Sequence, residues 1–424
     1  MTVQTRPDAY AALRFADFRA LLVASVGSSL ASRMLAVAIG YQVYALTKSP
    51  LALGWLGLVE AIPAVGLALL GGHYADRLDR RSILLITRAV FTLCAVLLAV
   101  VSSRAGPETL VLLYSLVFVA GVARGFGDPA ASAFETRIVP ASVFLNASSW
   151  LGSVGQASSI IGPTLGGLLL ASWSATGTYG LVAALALASW VGLWRISPRP
   201  QPVPPKQESM RSSILSGLQF VRRDPVILGS MALDLFAVLF GGVVALLPIF
   251  ATDILKVGPR GLGLMLAAPA AGALLVMLWA TRFPPVRNSG RILLLGVAGF
   301  GVSIIVFALS RTFFLSLAAL FFTGVFDGIN MVIRKAILRL RTPDQMRGRV
   351  AAVSLLFIGS SNELGALESG VAASAFGTVR SVWLGGIVTL LVVGVVALRV
   401  PRLLTLHLDS PEAEPEPAPK VDSV

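Results

Sequence analysis

Long apolar runs, separated by short polar segments, make up most of the chain. Each run holds about 20 residues or more, and a helix of that length crosses a bilayer core of about 30 Å. The runs lack the ten-residue alternation of apolar and polar residues that is typical of a membrane β-barrel. The pattern predicts twelve membrane-spanning helices, at about 20–46, 52–72, 82–102, 108–128, 147–172, 177–196, 226–252, 261–281, 290–309, 313–334, 350–377 and 380–399.

The composition supports this interpretation. Of the 424 residues, 56% are hydrophobic and 13% are charged, whereas about 25% of the residues in a soluble domain are charged. So few charges cannot cover a water-exposed surface, and the sequence therefore predicts an all-α polytopic membrane protein. The first apolar run is too long for the core of a cleavable signal.

An internal repeat divides the spans into two sets of six. When Pro140 is set against Pro343, Arg124 falls on Asp327, and a glycine follows in both places. Two pseudo-symmetric six-helix bundles are therefore predicted. The predicted regions are a cytosolic lead (1–18), a first bundle (19–196), a cytosolic linker (197–224), a second bundle (225–400) and a cytosolic tail (401–424).

The linker and the tail have compositions of their own. Residues 198–205 are rich in proline and cannot stay helical. The rest of the linker is amphipathic, with Leu218 and Val221 opposite Arg222, and is predicted to be a helix on the bilayer surface. The tail after Arg402 is acidic and rich in proline, which predicts disorder.

The basic residues are distributed unequally between the two sides of the membrane. With a cytosolic N-terminus, 26 Lys and Arg residues fall on the cytosolic side, with Arg88 and Arg334 among them, and six fall on the other. Because membrane proteins carry their positive loops in the cytosol, both termini are predicted to be cytosolic. The same asymmetry explains the net charge of +13, so no nucleic acid partner is expected.

A short charged hairpin connects the second and third spans. It contains Gly72, Asp76, Arg77, Arg80 and Arg81. Their order and spacing resemble the loop between the second and third helices of the major facilitator superfamily. We predict that Asp76 caps a neighbouring helix and pairs with an arginine, as a latch for the outward-facing state. The matching place in the second half lacks the aspartate, so only one latch is predicted.

Three further segments, at 53–63, 217–225 and 342–350, look like the enterobactin-exporter and macrolide-efflux branch of that superfamily. The resemblance covers residues from about 12 to 400. It implies an exporter of the bacterial cytoplasmic (inner) membrane that is driven by the proton gradient and has no other cofactor. A small-molecule substrate, a lipid bilayer around the chain and function as a monomer are expected.

Ionisable side chains inside the spans are the main candidates for function, because each costs roughly 3 kcal/mol unless it meets water or a partner. The resemblance implies that the first, fourth, seventh and tenth helices line a central cavity. Arg33, Arg124, Asp234 and Asp327 lie on these helices, one on each. The repeat places Arg124 and Asp327 at matched depth, which suggests a charge pair across the cavity. The alternative is a purely structural ion pair.

Glu60, Asp128 and Asn330 complete the predicted cavity set. Glu60 lies near the outer boundary of its span, where proton carriage and simple solvation both fit. Asp128 follows Arg124-Gly125, which resembles the fourth-helix motif of proton-coupled members, but it also fits a solvated cytosolic helix end. Asp234 and Asp327 are better proton carriers because they lie deeper, where a carboxylate shielded from water can titrate near physiological pH.

The fifth span carries the residues Gly162, Pro163, Gly166 and Gly167. This pattern resembles the antiporter motif of the superfamily, although serines replace the glycines expected upstream. Proline removes one helical hydrogen bond and bends a span, and glycines let a second helix approach closely. We predict a pliable seal between the two halves; generic packing of small residues is the alternative.

Three functions fit these features. The first is a proton-coupled exporter of a small amphipathic molecule, such as a siderophore or a drug. The second is an uptake carrier or lipid flippase of the same fold, and the third is a membrane enzyme or non-transporting scaffold. His73 lies in the hairpin and His407 in the tail, so no intramembrane metal site is expected. No phosphate-binding loop with Gly-Lys-Ser or Gly-Lys-Thr is present, which argues against ATP as the energy source and against an enzyme.

Overall fold

The structure is a computed structural model that describes residues 8–103, 108–198, 210–283 and 285–408. These residues are mostly helical and contain no strand. Twelve segments of this described part are long and apolar enough to cross a membrane, which confirms the predicted fold class. The helices are α1 (Ala16–Thr47), α2 (Pro50–Arg77), α3 (Arg80–Ser102), α4 (Glu108–Glu135), α5 (Phe144–Ser172), α6 (Ala175–Trp194), α7 (Met210–Arg223), α8 (Pro225–Phe240), α9 (Leu247–Ile249), α10 (Gly258–Arg282), α11 (Ser289–Leu309), α12 (Phe313–Arg341), α13 (Arg347–Phe376), α14 (Thr378–Arg399) and α15 (Pro401–Leu404).

Short polar caps and prolines fix where several helices begin. The Ser49 side chain accepts a hydrogen bond from the Ala52 N–H, and Pro50 follows as the first helical residue of α2. Asp224 accepts from two backbone N–H groups at the start of α8, again directly before a proline. A polar cap followed by proline suits a helix start because proline lacks only an N–H that would have no helical partner there.

Several spans, with the fourth and tenth among them, are longer than the sequence predicted, and one is interrupted. Helix α4 continues past residue 128 to Glu135, and α12 continues past residue 334 to Arg341. The seventh span stops as α8 at Phe240, next to Gly241, and resumes through a 3₁₀ turn, α9 and a π-helical turn. The longer helices bring into the bundles charged residues that the sequence analysis assigned to the cytosolic side.

The chain forms two compact units. The first contains Met1–Pro205 and Val244–Ala270, and the second contains Lys206–Val243 and Ala271–Val424. The segment 244–270 therefore packs with the first six spans in this structure. The predicted boundaries of the two bundles stay predictions.

The N-terminal lead packs onto the first unit from residue 8 onward. The Ala12 N–H donates a hydrogen bond to Asn146 Oδ1 over 3.0 Å, and Trp150 Nε1 donates to the Ala9 carbonyl over 3.1 Å. Phe18 is completely buried in the core that α1 forms with its neighbours. These contacts hold the start of α1 against the start of α5.

The amphipathic linker helix α7 packs against the second unit. Val221 is completely buried in the core of that unit, and Leu218 packs against the same core. A Cβ atom on Gly217 would lie 2.8 Å from the Arg349 carbonyl oxygen, so the two backbones are in close contact. The expectation of a helix that lies with its apolar side on the bilayer is thus wrong for these residues, because protein already covers them; Leu215 stays exposed.

The predicted disorder of residues 401–424 is also wrong in its first part. Leu403 and Leu406 are buried in the second unit, beneath the start of α11. The backbone is held as well, since the Leu408 N–H donates to the Val286 carbonyl over 2.9 Å. The two buried leucines explain why this segment packs; the acidic residues from 409 onward and the proline-rich residues 199–205 lie outside the described residues.

Leu403→Ala should lower the free energy of unfolding by about 2–5 kcal/mol, the usual cost of truncating a fully buried leucine. Leu398→Ala is the matched control, because the Leu398 side chain is 81% exposed on the same stretch of chain. Denaturant unfolding of the purified protein in detergent measures both. Equal losses for the two variants would contradict the packing of residues 401–408.

Candidate functional site

Close contact between α2 and α4 brings charged residues together in the first unit. A Cβ atom on Gly125 would lie 2.9 Å from the Pro63 carbonyl oxygen, and one on Gly121 would lie 2.8 Å from Pro63 Cγ. The two glycines are four residues apart, the spacing with which membrane helices pack backbone to backbone. The contact places Glu60 of α2 opposite Arg124 of α4.

Glu60, Arg124 and Asp128 form what we call the first charge cluster. Arg124 Nη1 donates to the Glu60 carboxylate, and Arg124 Nε lies 3.7 Å from Asp128 Oδ2, one turn further along α4. The three side chains are 39–62% exposed, so protein does not enclose them. Ion pairs at exposed positions contribute little stability. The cluster therefore presents two carboxylates and one guanidinium outside the packed core of the unit.

Arg33 and Arg88 extend this charged region. Arg33 lies on α1, where its guanidinium is close enough to that of Arg124 for the two charges to repel. Arg88 interacts electrostatically with Asp128 and with Glu135, the last residue of α4. The sequence analysis counted Arg88 among the cytosolic charges, which is corrected here: Arg88 lies about two turns inside α3.

Asp234, Asn330 and Arg334 form the second charge cluster, which lies in the second unit. Arg334 Nη1 is 2.7 Å from Asp234 Oδ2, and Asn330 Nδ2 donates to Asp234 Oδ1 over 2.8 Å. The Asp234 and Arg334 side chains are only 6% and 8% exposed. Asp327 lies one turn before Asn330 on α12 and interacts electrostatically with both charged members. The region thus contains two carboxylates and one guanidinium.

Arg334 is the residue that the sequence analysis missed most clearly. It was counted as a cytosolic charge because the predicted tenth span ended there, but α12 continues to Arg341 and buries Ile333 and Ile337. A sequence signal was available, since Asp327, Asn330 and Arg334 are spaced three and four residues apart and so share one helix face. Arg124 pairs with Glu60 and Asp128, and the predicted Arg124–Asp327 pair stays a prediction.

The charged hairpin contains a helix cap that the sequence analysis did not predict, whereas the predicted capping of a neighbouring helix by Asp76 stays a prediction. Asp79 caps α3 by accepting a hydrogen bond from the Ser82 N–H over 2.9 Å. Asp76 is 3.3 Å from Arg80 within the same hairpin. Gly72 and Arg77 lie in the last turns of α2. The predicted pairing of Asp76 with an arginine is thus present, but its role as a latch stays a prediction.

The two hairpin arginines bind the ends of other helices. Arg80 Nη1 donates to the Ala133 carbonyl of α4 over 3.0 Å, and Arg81 Nη2 donates to the Trp194 carbonyl of α6 over 2.6 Å. Carbonyl groups in the last turn of a helix carry partial negative charge and have no helical partner, so they attract cations. The hairpin therefore ties together the ends of four helices.

The glycines of the α5 motif are sites of close helix contact, as the sequence predicted. A Cβ atom on Gly166 would lie 3.1 Å from Met34 Cα of α1, and one on Gly167 would lie 2.8 Å from Gly263 Cα. On Gly162 the same atom would lie 2.6 Å from Arg33 Cβ. Pro163 lies inside α5, which continues as a helix to Ser172. The motif thus holds α5 between α1 and the first part of α10; its role as a seal stays a prediction.

A third polar group, at the far end of α1, was not predicted. Tyr44 Oη donates to Asp253 Oδ2 over 2.5 Å, and Lys48 Nζ lies 3.9 Å from Asp253 Oδ1. Asp253 lies on the π-helical turn Phe250–Ile254, where the Leu255 N–H bonds the Phe250 carbonyl. Nothing in the residue pattern marks this contact, since it depends on an irregular turn.

Comparison with solved structures defines the fold. The chain has the fold of major facilitator superfamily transporters. It is similar to a bacterial homolog of the human lysosomal transporter Spinster, with a TM-score of 0.73, 14% identity and coverage of 95% of this chain and 98% of that chain. It is also similar to a D-xylose-proton symporter, with a TM-score of 0.70, 16% identity and coverage of 91% and 98%.

The chain belongs to the transmembrane secretion effector family of this superfamily, whose family model matches residues 7–424. It is 26% identical over 384 residues to the enterobactin exporter EntS of Shigella boydii serotype 18, which covers 90% of this chain and 91% of the relative. The EntS protein of Escherichia coli O1:K1 / APEC matches with the same identity and coverage. The chain is therefore a multi-pass secondary transporter of exporter type, and its named relatives are transporters rather than enzymes.

Asp234→Asn should lower the free energy of unfolding by about 1.5–3 kcal/mol, because Arg334 loses its charge-assisted hydrogen bond and keeps only the electrostatic attraction of Asp327. Asp344→Asn is the control, since Asp344 pairs with Arg347 at an exposed position and should have no measurable effect. Denaturant unfolding in detergent measures both. Native stability of Asp234→Asn would contradict the buried pair.

Glu60→Gln and Arg124→Gln should each lower the thermal unfolding temperature slightly, because each leaves one charge without its nearest partner. The double variant should recover part of the loss, which a double-mutant cycle measures as coupling between the two side chains. The control cycle combines Glu60→Gln with Glu108→Gln, an exposed residue at the start of α4. Strictly additive losses for Glu60 and Arg124 would show that the pair is not formed.

Proposed function

We propose that this protein exports a small amphipathic molecule, such as a siderophore or a drug, in exchange for protons. It would act as a monomer in the bacterial inner membrane, by alternating access, with both termini in the cytosol and no cofactor other than the proton gradient. Similarity to proteins that are named enterobactin exporters supports the outward direction and this substrate class. The positive charge of the α2–α3 hairpin supports the cytosolic assignment of that face.

The charge balance of the second charge cluster and Asp327 carries the proposal. If all groups are ionised, the two carboxylates and one guanidinium leave one negative charge without a counterpart inside the membrane. Such a charge is costly in a low-dielectric bundle. One bound proton would remove it, so Asp234 and Asp327 together are suited to bind and release a single proton.

Proton binding would also change a specific contact. Arg334 is held by a charge-assisted hydrogen bond to Asp234, which is stronger than a hydrogen bond between neutral groups. Protonation of Asp234 weakens that bond and allows Arg334 to turn towards Asp327. Two arrangements of one arginine, selected by one proton, are the kind of two-state element that coupled transport requires.

The first charge cluster is suited to the substrate side of the cycle. Its side chains are half-exposed, so a ligand can reach them without first breaking a buried pair. Arg33 adds a second positive charge beside Arg124. This region would attract acidic groups of a substrate to Arg33 and Arg124, while Glu60 and Asp128 keep the net charge small.

Proteoliposomes with an imposed pH gradient test the coupling, with enterobactin and a macrolide as substrates. The native protein should move substrate against the proton flux, and an internal pH dye should report proton movement. Asp327→Asn should lower the rate of proton-driven transport at least tenfold. Exchange of substrate for substrate should continue, because the substrate site is intact. Glu108→Gln is the matched control and should retain native transport.

Each outcome separates the alternatives. Proton-driven transport at the native rate in Asp327→Asn would rule out this carboxylate as the coupling group. Substrate movement with the proton flux rather than against it would indicate an uptake carrier. Movement of fluorescent lipid between leaflets, with neither solute transported, would indicate a flippase.

A further inference from the structure

A polar cavity of about 170 Å³ lies within the first unit, between α1, α3, α4, α5 and α6. Apolar side chains form part of its wall, but six polar residues also line it: Ser25, Ser28, Ser29, Arg88, Glu135 and Ser189. Neither Arg88 nor Glu135 belongs to the first charge cluster, and the proposed transport cycle uses neither. Polar groups gathered inside a membrane bundle indicate a function, because lipid-facing or core positions would otherwise be apolar.

The packing of α1 against α6 places one hydroxyl group of this cavity. A Cβ atom on Gly27 would lie 3.2 Å from the Ser189 backbone nitrogen, so α6 lies directly on α1 at this level. The Ser189 residue is 1% exposed, and its Oγ has no hydrogen-bond partner among the described residues. A buried hydroxyl without a partner costs roughly 1–3 kcal/mol. A ligand that donates to or accepts from Ser189 would remove this cost.

The two charged residues of the cavity are also not in direct contact. In the part of the chain that the structure describes, neither Arg88 nor Glu135 has an ion-pair partner within 4.0 Å. They do attract each other electrostatically, which places opposite charges on one cavity. A ligand that carries both a positive and a negative group would complement both residues at once.

The size of the cavity limits the ligand. A volume of about 170 Å³ corresponds to about five or six water molecules, at about 30 Å³ each. Pockets for drug-sized molecules measure about 300–1,000 Å³. At this volume the cavity has room for a small ligand of about five to ten heavy atoms.

We propose that this cavity binds a small zwitterion, of the size of glycine or serine, as an accessory ligand of the first unit. The carboxylate of the ligand would meet Arg88, its ammonium group would meet Glu135, and the serine hydroxyls would complete the hydrogen bonds. Arg88 and Glu135 lie on α3 and α4. The ligand would thus join these two helices to α1 and α6. This site is separate from the proposed binding site of the export substrate, and binding of the zwitterion does not depend on proton coupling.

Calorimetric titration of the full-length protein in lipid nanodiscs tests the proposal. Glycine and serine should bind, and each should raise the thermal unfolding temperature. Acetate and methylammonium each carry only one of the two charges and should bind at least tenfold more weakly. Tryptophan is also a zwitterion but has a much larger side chain, so it should bind more weakly than glycine.

Two variants and a control locate the site. Arg88→Gln and Glu135→Gln should each weaken glycine binding at least tenfold, and Arg88→Lys should restore part of it. Arg291→Gln, at an exposed position of α11, should bind like the native protein. If a single variant is unstable, the double variant Arg88→Gln/Glu135→Gln, which keeps the local charge balanced, provides the same test.

The proposal is overturned if glycine has no effect on the native protein, which would mean that the cavity holds only water. Unchanged binding in both single variants would overturn it too, because the ligand would then lie elsewhere. Transport of enterobactin is measured separately on the same samples. Loss of glycine binding with normal transport would support an accessory site, whereas failure of transport in the native protein would concern only the proposed export function.

Discussion

The requirement that charge inside lipid be paired governs this structure, and the ion pair between Asp234 and Arg334 shows it most clearly. Both side chains are almost completely buried, and Asn330 occupies the second oxygen of the carboxylate. The ion pair is a direct contact between one side chain of α8 and one of α12, so it fixes the positions of these two helices against each other. With the nearby Asp327 the region contains two carboxylates, and the single guanidinium of Arg334 can balance the charge of only one. The ion pair that holds the two helices is therefore also part of the proposed proton-binding site.

Glycines determine which polar groups can meet. The axes of two packed helices usually lie about 8–10 Å apart, and only small residues at the contact allow the helices to come closer. Gly121 and Gly125 bring α4 against Pro63 of α2, and this contact aligns Glu60 with Arg124. In the same way, Gly27 allows α6 to lie directly on α1, which places Ser189 at this contact. The charged and hydroxyl groups of the first unit are thus placed by residues that have no polar side chain.

Much of the architecture was predictable, because the apolar runs and the basic hairpin depend on local composition. The twelve spans and the superfamily were therefore correct, and so was the close packing of Gly166 and Gly167. Arg334 was missed because hydropathy marks where apolar residues end, whereas a helix ends where its packing and capping end. The burial of Leu403 was missed for a related reason. The tail as a whole is proline-rich and acidic, and this composition obscured two leucines that pack beneath α11. The contact between Tyr44 and Asp253 depends on an irregular turn, which no periodic pattern encodes.

That irregular turn has a consequence for how the chain can vary in length. A π-helical turn accommodates one residue more than an α-helical turn, so Phe250–Ile254 contains an effective single-residue insertion. Loss of one residue there would restore regular geometry and rotate the flanking segments by about 100° relative to each other. Asp253 would then no longer face the phenol of α1. The number of residues between Pro248 and Gly258, as much as their chemistry, therefore sets the register in which the C-terminal end of the seventh span meets the C-terminal end of α1.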